Sequence, residues 1–136
     1  MSEFEWTGRV DQEDGELGLR WHQLIDTNHQ NDTIDLIGFA SDVGVANNKG
    51  RIGAKNGPNA VRSQLANLPF LIAANVHDKG DIAPLNEHID DAQFNLAKQV
   101  HTSLEQGHFP IVIGGGHEVA RGSFLGLHQW SQSSTP

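Results

Sequence analysis

The run Gly114-Gly115-Gly116-His117-Glu118 concentrates the chemistry of this chain. Three glycines let backbone approach closely, and the histidine behind them offers either a metal-binding imidazole or a structural hydrogen bond. Imidazole with carboxylate partners suits manganese, iron or zinc. Rival chemistries fail on spacing. A dinucleotide fingerprint needs glycine three residues after Gly116, where Val119 stands, and a zinc-protease helix needs histidine four after His117, where Arg121 stands. No Gly-x-x-x-x-Gly-Lys phosphate loop occurs. His22, His29, His77, His88, His101, His108 and His128 show no paired ligand spacing. Asp78 and Asp81 read as turn and cap residues. Glu118 reads as the cap of a following helix, with a hydrogen bond to His117 as the alternative.

These residues need elements to hold them. Ile34 to Ala40 is a short apolar run that predicts a buried strand. The stretch 41–57 carries Gly44, Gly50, Gly53 and Gly57 with Asn47, Asn48 and Asn56, which is loop chemistry over a functional length. Its Lys49, Arg51 and Lys55 face one acid, Asp42, and form an anion-receiving rim. Gly57-Pro58 opens a helix in which Ala60, Val61, Leu65 and Leu68 keep helical spacing until Pro69. A second strand is expected near Ala74–His77. A second helix follows, capped by Asp90 or Asp91, with Phe94, Ala97, Val100 and Leu104 on one face and Gly107 closing it. Phe109 to Ile113 predicts a third strand, and Val119, Ala120, Phe124 and Leu127 recur at helical spacing behind it. Strand and helix alternate, so the fold class is α/β with a parallel sheet. Three strands are few for such a sheet, so the chain reads as the opening part of a larger domain.

Composition sets the outer bounds. At 37% hydrophobic and 19% charged, 136 residues suit one globular domain. No apolar run is long enough to cross a bilayer. The N-terminus lacks a signal sequence, the Asn31-Asp32-Thr33 acceptor reads as chance, and cysteine is absent, so a cytoplasmic location is expected. Net charge is -8, and residues 1–35 hold nine acids against two bases. That acidity argues against nucleic acid as a partner. The organisation expected is an acidic segment at 1–32, an α/β unit at 33–130, and a polar linker or truncation point at 131–136.

Taken together these motifs resemble the ureohydrolase (arginase) family, and within it the branch that hydrolyses N-formimidoyl-L-glutamate. Gly114 to Glu118 is similar to that branch's form of the first metal motif, where other members have Gly-Gly-Asp-His-Ser. Asp42-x-Gly44-Val45, Asn48-Lys49-Gly50-Arg51-x-Gly53 and Gly57-Pro58-x-Ala60-Val61-Arg62 also resemble the family pattern. So do Trp6-x-Gly8-Arg9-x-Asp11, Arg20-Trp21-His22-Gln23 and Gly80-Asp81-Ile82. The resemblance implies a three-layer α/β/α fold and two manganese ions per complete site, with His117 as one ligand. It implies that a water shared by the ions, its pKa lowered, attacks the formimidoyl carbon to give L-glutamate and formamide in histidine degradation. Arg51, with Asn48 and Lys49, would receive the substrate's carboxylates. The family's Asp-x-His-x-Asp and later Asp-x-Asp motifs are not present, so no catalytic residue is assigned within this chain. The partner expected is a small molecule, with no nucleic acid or membrane, and a homo-oligomer is compatible with it. Agmatinase-like or guanidino-acid hydrolysis is the alternative enzyme, and a catalytically dead remnant or interaction module the alternative outside catalysis.

Overall fold

The computed structural model describes residues 4–134. Its centre is strand β1 (Thr33–Phe39), whose last five residues are buried. Around it stand α1 (Trp21–Leu24), α2 (Val43–Asn47), α3 (Gly57–Leu65), β2 (Asn75–Ile82), α4 (Ile89–Glu105), β3 (Phe109–Gly114) and α5 (Val119–Ser133), of which the short helices α1 and α2 are not among the expected elements. The sheet order is β2-β1-β3. Both pairings are parallel, and Phe39 lies opposite Ile82 on one side and Gly114 on the other. All three strands therefore end at one rim.

Alternation along β1 divides the core between the two faces of the sheet. Ile37 and Phe39 pack with Ala92, Leu96 and Val100 of α4, joined by Val112 and Val119. Leu36 packs on the opposite face with Ile25, Phe70 and Val76, joined by Trp6, Trp21 and Leu24. The acidic segment 1–32 is thus more than a solvated lead-in, because its aromatic and aliphatic residues cover one face of the sheet. Its middle is tied by Trp21 N–H to the Leu68 carbonyl at 3.1 Å and by Phe70 N–H to the Leu19 carbonyl at 2.9 Å. Asp11 binds the Arg20 guanidinium, which holds the Asp11 carboxyl below its usual range.

The inward face of α3 differs from the expected one. Pro58 and Arg62 are buried, while Ala60, Val61 and Leu68 are exposed. Arg62 grips Asp78 with two bonds, Nε to Oδ2 and Nη2 to Oδ1, each 2.8 Å, and reaches Asp81 Oδ1 with Nη1 at 2.6 Å. The side chains of Arg62 and Asp78 are 1% and 8% exposed. Burial disfavours the guanidinium charge, but the two carboxylates outweigh it and raise the Arg62 pKa above its ordinary value. Asp78 and Asp81 are therefore strand residues, not the expected turn and cap residues. Residues three apart on a regular strand point to opposite faces. Here the register slips by one residue between Leu36 and Gly38 of β1, where Gly80 of β2 has φ +75°, and both aspartates turn to the face of α3.

Helix packing explains further departures. α5 lies against α4 through Gly122 and Gly126, since a Cβ on Gly126 would come 2.5 Å from the Ala97 carbonyl oxygen. Phe124 and Leu127, which keep helical spacing with Val119, are exposed on the other side. On α4 the buried face is Ala92, Gln93, Leu96, Ala97, Val100 and Ser103, while Phe94 is exposed beneath the Arg121 guanidinium. His88, not Asp90 or Asp91, occupies the N-cap position, and both aspartates lie in the first turn. There they oppose the positive end of the helix dipole. Strand β3 is an edge strand of this sheet; Val112 and Ile113 pack on its opposite faces, while Phe109 at its start is 66% exposed. The expected linker is helical to Ser133, where Ser134 N–H closes the last turn on the Trp130 carbonyl at 3.0 Å; Thr135 and Pro136 lie outside the described residues. No helix among the described residues is long and apolar enough to cross a membrane.

Replacing Arg62 with Met is expected to cost about 3–5 kcal/mol, because it leaves Asp78 buried without its cation. Adding Asp78→Asn and Asp81→Asn to that variant should recover part of the loss. Urea denaturation midpoints for the two variants check this, and equal midpoints would remove the ionic explanation.

Candidate functional site

Parallel strands that end together bring the loops after β1 and β3 side by side, the usual place for ligands in an open α/β sheet. The glycine run leaves β3 and lies along the exit of β1. Gly115 N–H bonds to the Phe39 carbonyl at 2.8 Å, and Gly116 N–H bonds to the Ser41 carbonyl at 2.7 Å. A Cβ on Gly115 would overlap the Ser41 carbonyl oxygen and come 3.0 Å from those of Phe39 and Ala54. All three are backbone atoms, so a side chain there has no room. The loop after β1 is more ordered than its glycine content suggests, because α2 forms inside it and a one-turn 3-10 helix, Ala54–Asn56, precedes α3. The Asp42 carboxylate accepts a bond from Gly53 N–H at 2.8 Å and ties the loop's two ends together.

His117 stands exposed in the turn between β3 and α5, with no hydrogen-bond partner for its ring among the described residues. It shares a shallow depression with Gly44, Val45, Asn48, Glu118, Ala120 and Arg121. Asn48 and His117, candidates from separate motifs, are thereby brought together. Lys49 and Arg51 are exposed further along the loop and do not line that depression. Neither they nor Lys55 forms an ion pair among the described residues, so the loop's positive charge is open to an incoming anion.

Glu118 takes the expected place at the start of α5 but makes no hydrogen bond to His117. It occupies the N-cap position of α5 without a side-chain cap bond. Its Oε1 instead accepts from the Ser41 hydroxyl at 2.8 Å and from Gly44 N–H at 3.1 Å, both across the rim. Its carbonyl accepts from Gln93 Nε2 at 2.9 Å. Ser41 is a site residue that sequence reasoning missed; it lies 77 positions from its partner, and no local spacing signals the contact. Arg121 was also not singled out as a site residue. Its Nη1 donates to Asp90 Oδ1 at 2.7 Å and to Gln93 Oε1 at 2.6 Å, which fixes it at the depression's edge.

As a metal position the rim offers one donor. A neutral imidazole free of other bonds at the end of a strand is good ligand chemistry for manganese. No group of three or more His, Cys, Asp or Glu side chains able to hold an ion occurs among the described residues.

Comparison with known proteins adds the following. Residues 32–134 match the arginase family. Formimidoylglutamase of Aeromonas hydrophila is 47% identical over 128 residues, covering 91% of this chain and 41% of that protein. Formimidoylglutamase of Aliivibrio fischeri is 50% identical over 130 residues, covering 94% and 37%. The crystal structure of Trypanosoma cruzi formiminoglutamase with Mn2+ superposes with a TM-score of 0.73 at 30% identity, over 83% of this chain and 41% of that one. Arginase from Bacillus subtilis gives 0.59 at 31% identity, over 72% and 34%. The chain thus spans about two fifths of the length of the curated relatives it matches. The parallel sheet with flanking helices is the arginase-like α/β arrangement of these structures.

Gly115→Ala should force the two loops apart and destabilise the fold by about 1–3 kcal/mol, the usual cost of overpacking. Gly53→Ala, where a Cβ meets no atom within 4 Å but φ is +129°, measures the separate cost of backbone strain without overpacking, a strain that Gly115 does not have. Thermal melts of both variants check this. A Gly115→Ala melt equal to that of the parent would mean that the turn yields.

Proposed function

The chain belongs to the arginase family, and on that premise we propose that it carries the first part of an enzyme site for hydrolysis of N-formimidoyl-L-glutamate to L-glutamate and formamide, a step of histidine degradation in the cytoplasm. The observation that carries this reading is the glycine turn that fixes His117 at the rim, beside a loop with three uncompensated cations, in a chain 42–50% identical to formimidoylglutamases. His117 would hold one of two manganese ions through its neutral imidazole. Bound there, the ions supply Lewis acidity and lower the pKa of the attacking water. The other ligands of such a pair are not among the described residues.

The chain's own residues serve binding and orientation. Arg51 is a planar fork that can take a substrate carboxylate in bidentate fashion, and Lys49 adds a second positive charge two residues away. The Asn48 amide, in the depression with His117, can donate to an oxygen of the bound substrate. A substrate with two carboxylates suits this loop. A guanidinium substrate would be repelled by it, which disfavours the agmatinase-like alternative.

The 136-residue chain alone is expected to show no turnover with added Mn2+, because it supplies one metal donor. In the protein at full family length, His117→Ala should lower Mn2+ content and reduce activity by more than about 100-fold, the upper end of what loss of even an outer partner costs. Metal analysis and steady-state rates test this, and unchanged values would make His117 structural. Arg51→Ala should raise KM about 10–100-fold with kcat nearly kept, since a carboxylate grip acts in the ground and transition states alike. An unchanged KM would show the loop charges to be merely solvated.

A further inference from the structure

We propose that Glu118 is a positioning residue: one carboxylate oxygen clasps the His117 turn to the loop after β1, so that metal binding and substrate binding both depend on it. This rests on the reading of the rim under Proposed function. Glu118 Oε1 receives the Ser41 hydroxyl at 2.8 Å and Gly44 N–H at 3.1 Å. Ser41 is fully buried, and its Oγ also accepts from Val43 N–H at 3.3 Å, which ties the same bond set to the first turn of α2. With Gln93 on its carbonyl, Glu118 is fixed at both side chain and backbone.

The consequence falls on its neighbour. A ligating histidine is ordinarily oriented by a hydrogen bond to its second ring nitrogen. The His117 ring has no such partner among the described residues, so what places it is the backbone of the turn that carries its Cβ, and Glu118 holds that turn. The other end of the clasp, Gly44, begins the helix that leads to Asn48, Lys49 and Arg51. Both candidate functions of the rim meet at this carboxylate. A Cβ on Gly44 would lie 2.8 Å from Glu118 Oε2, so a side chain there would push the carboxylate out of the clasp.

The clasp needs an acceptor oxygen, not a negative charge, and glutamine supplies one in the same place. In the protein at full family length, Mn2+ affinity is read by electron paramagnetic resonance of free Mn2+, alongside kcat and KM. Glu118→Gln should stay within about fivefold of the parent in Mn2+ affinity, the difference between a charged and a neutral acceptor. Glu118→Ala should weaken Mn2+ binding about 10–100-fold and raise KM as well as lower kcat. Ser41→Ala should shift both in the same direction by less, and add little to Glu118→Ala. Equal damage from Gln and Ala would mean that the charge or direct ligation matters, and would overturn the proposal. So would parent-like Mn2+ binding in Glu118→Ala or, if that variant does not fold, in Ser41→Ala. A parent that binds no Mn2+, or that binds it equally well after His117→Ala, would instead refute the functional reading, and the clasp with it.

Discussion

Strand β1 is bonded in parallel to β2 along one edge and to β3 along the other, with α4 on one face and the N-terminal segment and α3 on the other. Parallel pairing forces each strand to enter from the same side, so the loops after β1 and β3 must leave together. The glycine run then continues the pairing one step past the sheet, with Gly115 and Gly116 bonded to Phe39 and Ser41. Each feature of the rim follows from that step: the His117 turn, the Glu118 contact to Ser41 and the placement of Asn48.

A buried ion network secures the other flank. Arg62 bridges α3 to β2 through Asp78 and Asp81, and Asp78 Oδ2 also accepts the Trp6 indole N–H at 2.8 Å. The Asp78 backbone N–H is bonded to Asp26 Oδ1 at 2.8 Å. The N-terminal segment is thus pinned by polar contacts as well as by apolar burial. Desolvating a guanidinium is costly, and the bidentate geometry with a second carboxylate is what offsets it here. A hydrophobic residue at position 62 could fill the space, but it would leave two carboxylates facing it.

The charge distribution matches this division of labour. Acidic residues crowd the first 35 positions, and the exposed cations of the loop after β1 stand apart from them. An anionic ligand approaching the rim meets local positive potential although the chain as a whole carries -8. Behind the rim α5 packs closely against α4, because glycines at positions 122 and 126 remove the side chains that would separate the helices.

The sequence alone determined the three strands and the three longer helices in outline, that the sheet is parallel, and that His117 stands at a strand end, while the short helices α1 and α2 and the second half of β2 were not legible in it. The legible features are local properties: apolar runs, Pro58 at a helix start, and glycines behind β3. It also contained the family motifs, because those are short and contiguous. Tertiary structure alone decided the partners. Asp78 and Asp81 read as turn residues until a one-residue slip in register turned both toward Arg62, and no spacing rule foretells a bulge. Helical periodicity placed Phe94 with Ala97 and Val100 and placed Phe124 and Leu127 with Val119; Ala97 and Val100 are buried, but α4 turns Gln93 and Leu96 inward in place of Phe94, and α5 meets α4 through Gly122 and Gly126. Periodicity marks an apolar stripe; it does not say which stripe meets the neighbour. Glu118 shows the same limit at the site, since a carboxylate beside a histidine suggests local roles while its bonds run to Ser41 and Gly44, more than seventy residues away. Such contacts arise only when parallel strands bring two distant loops to one rim.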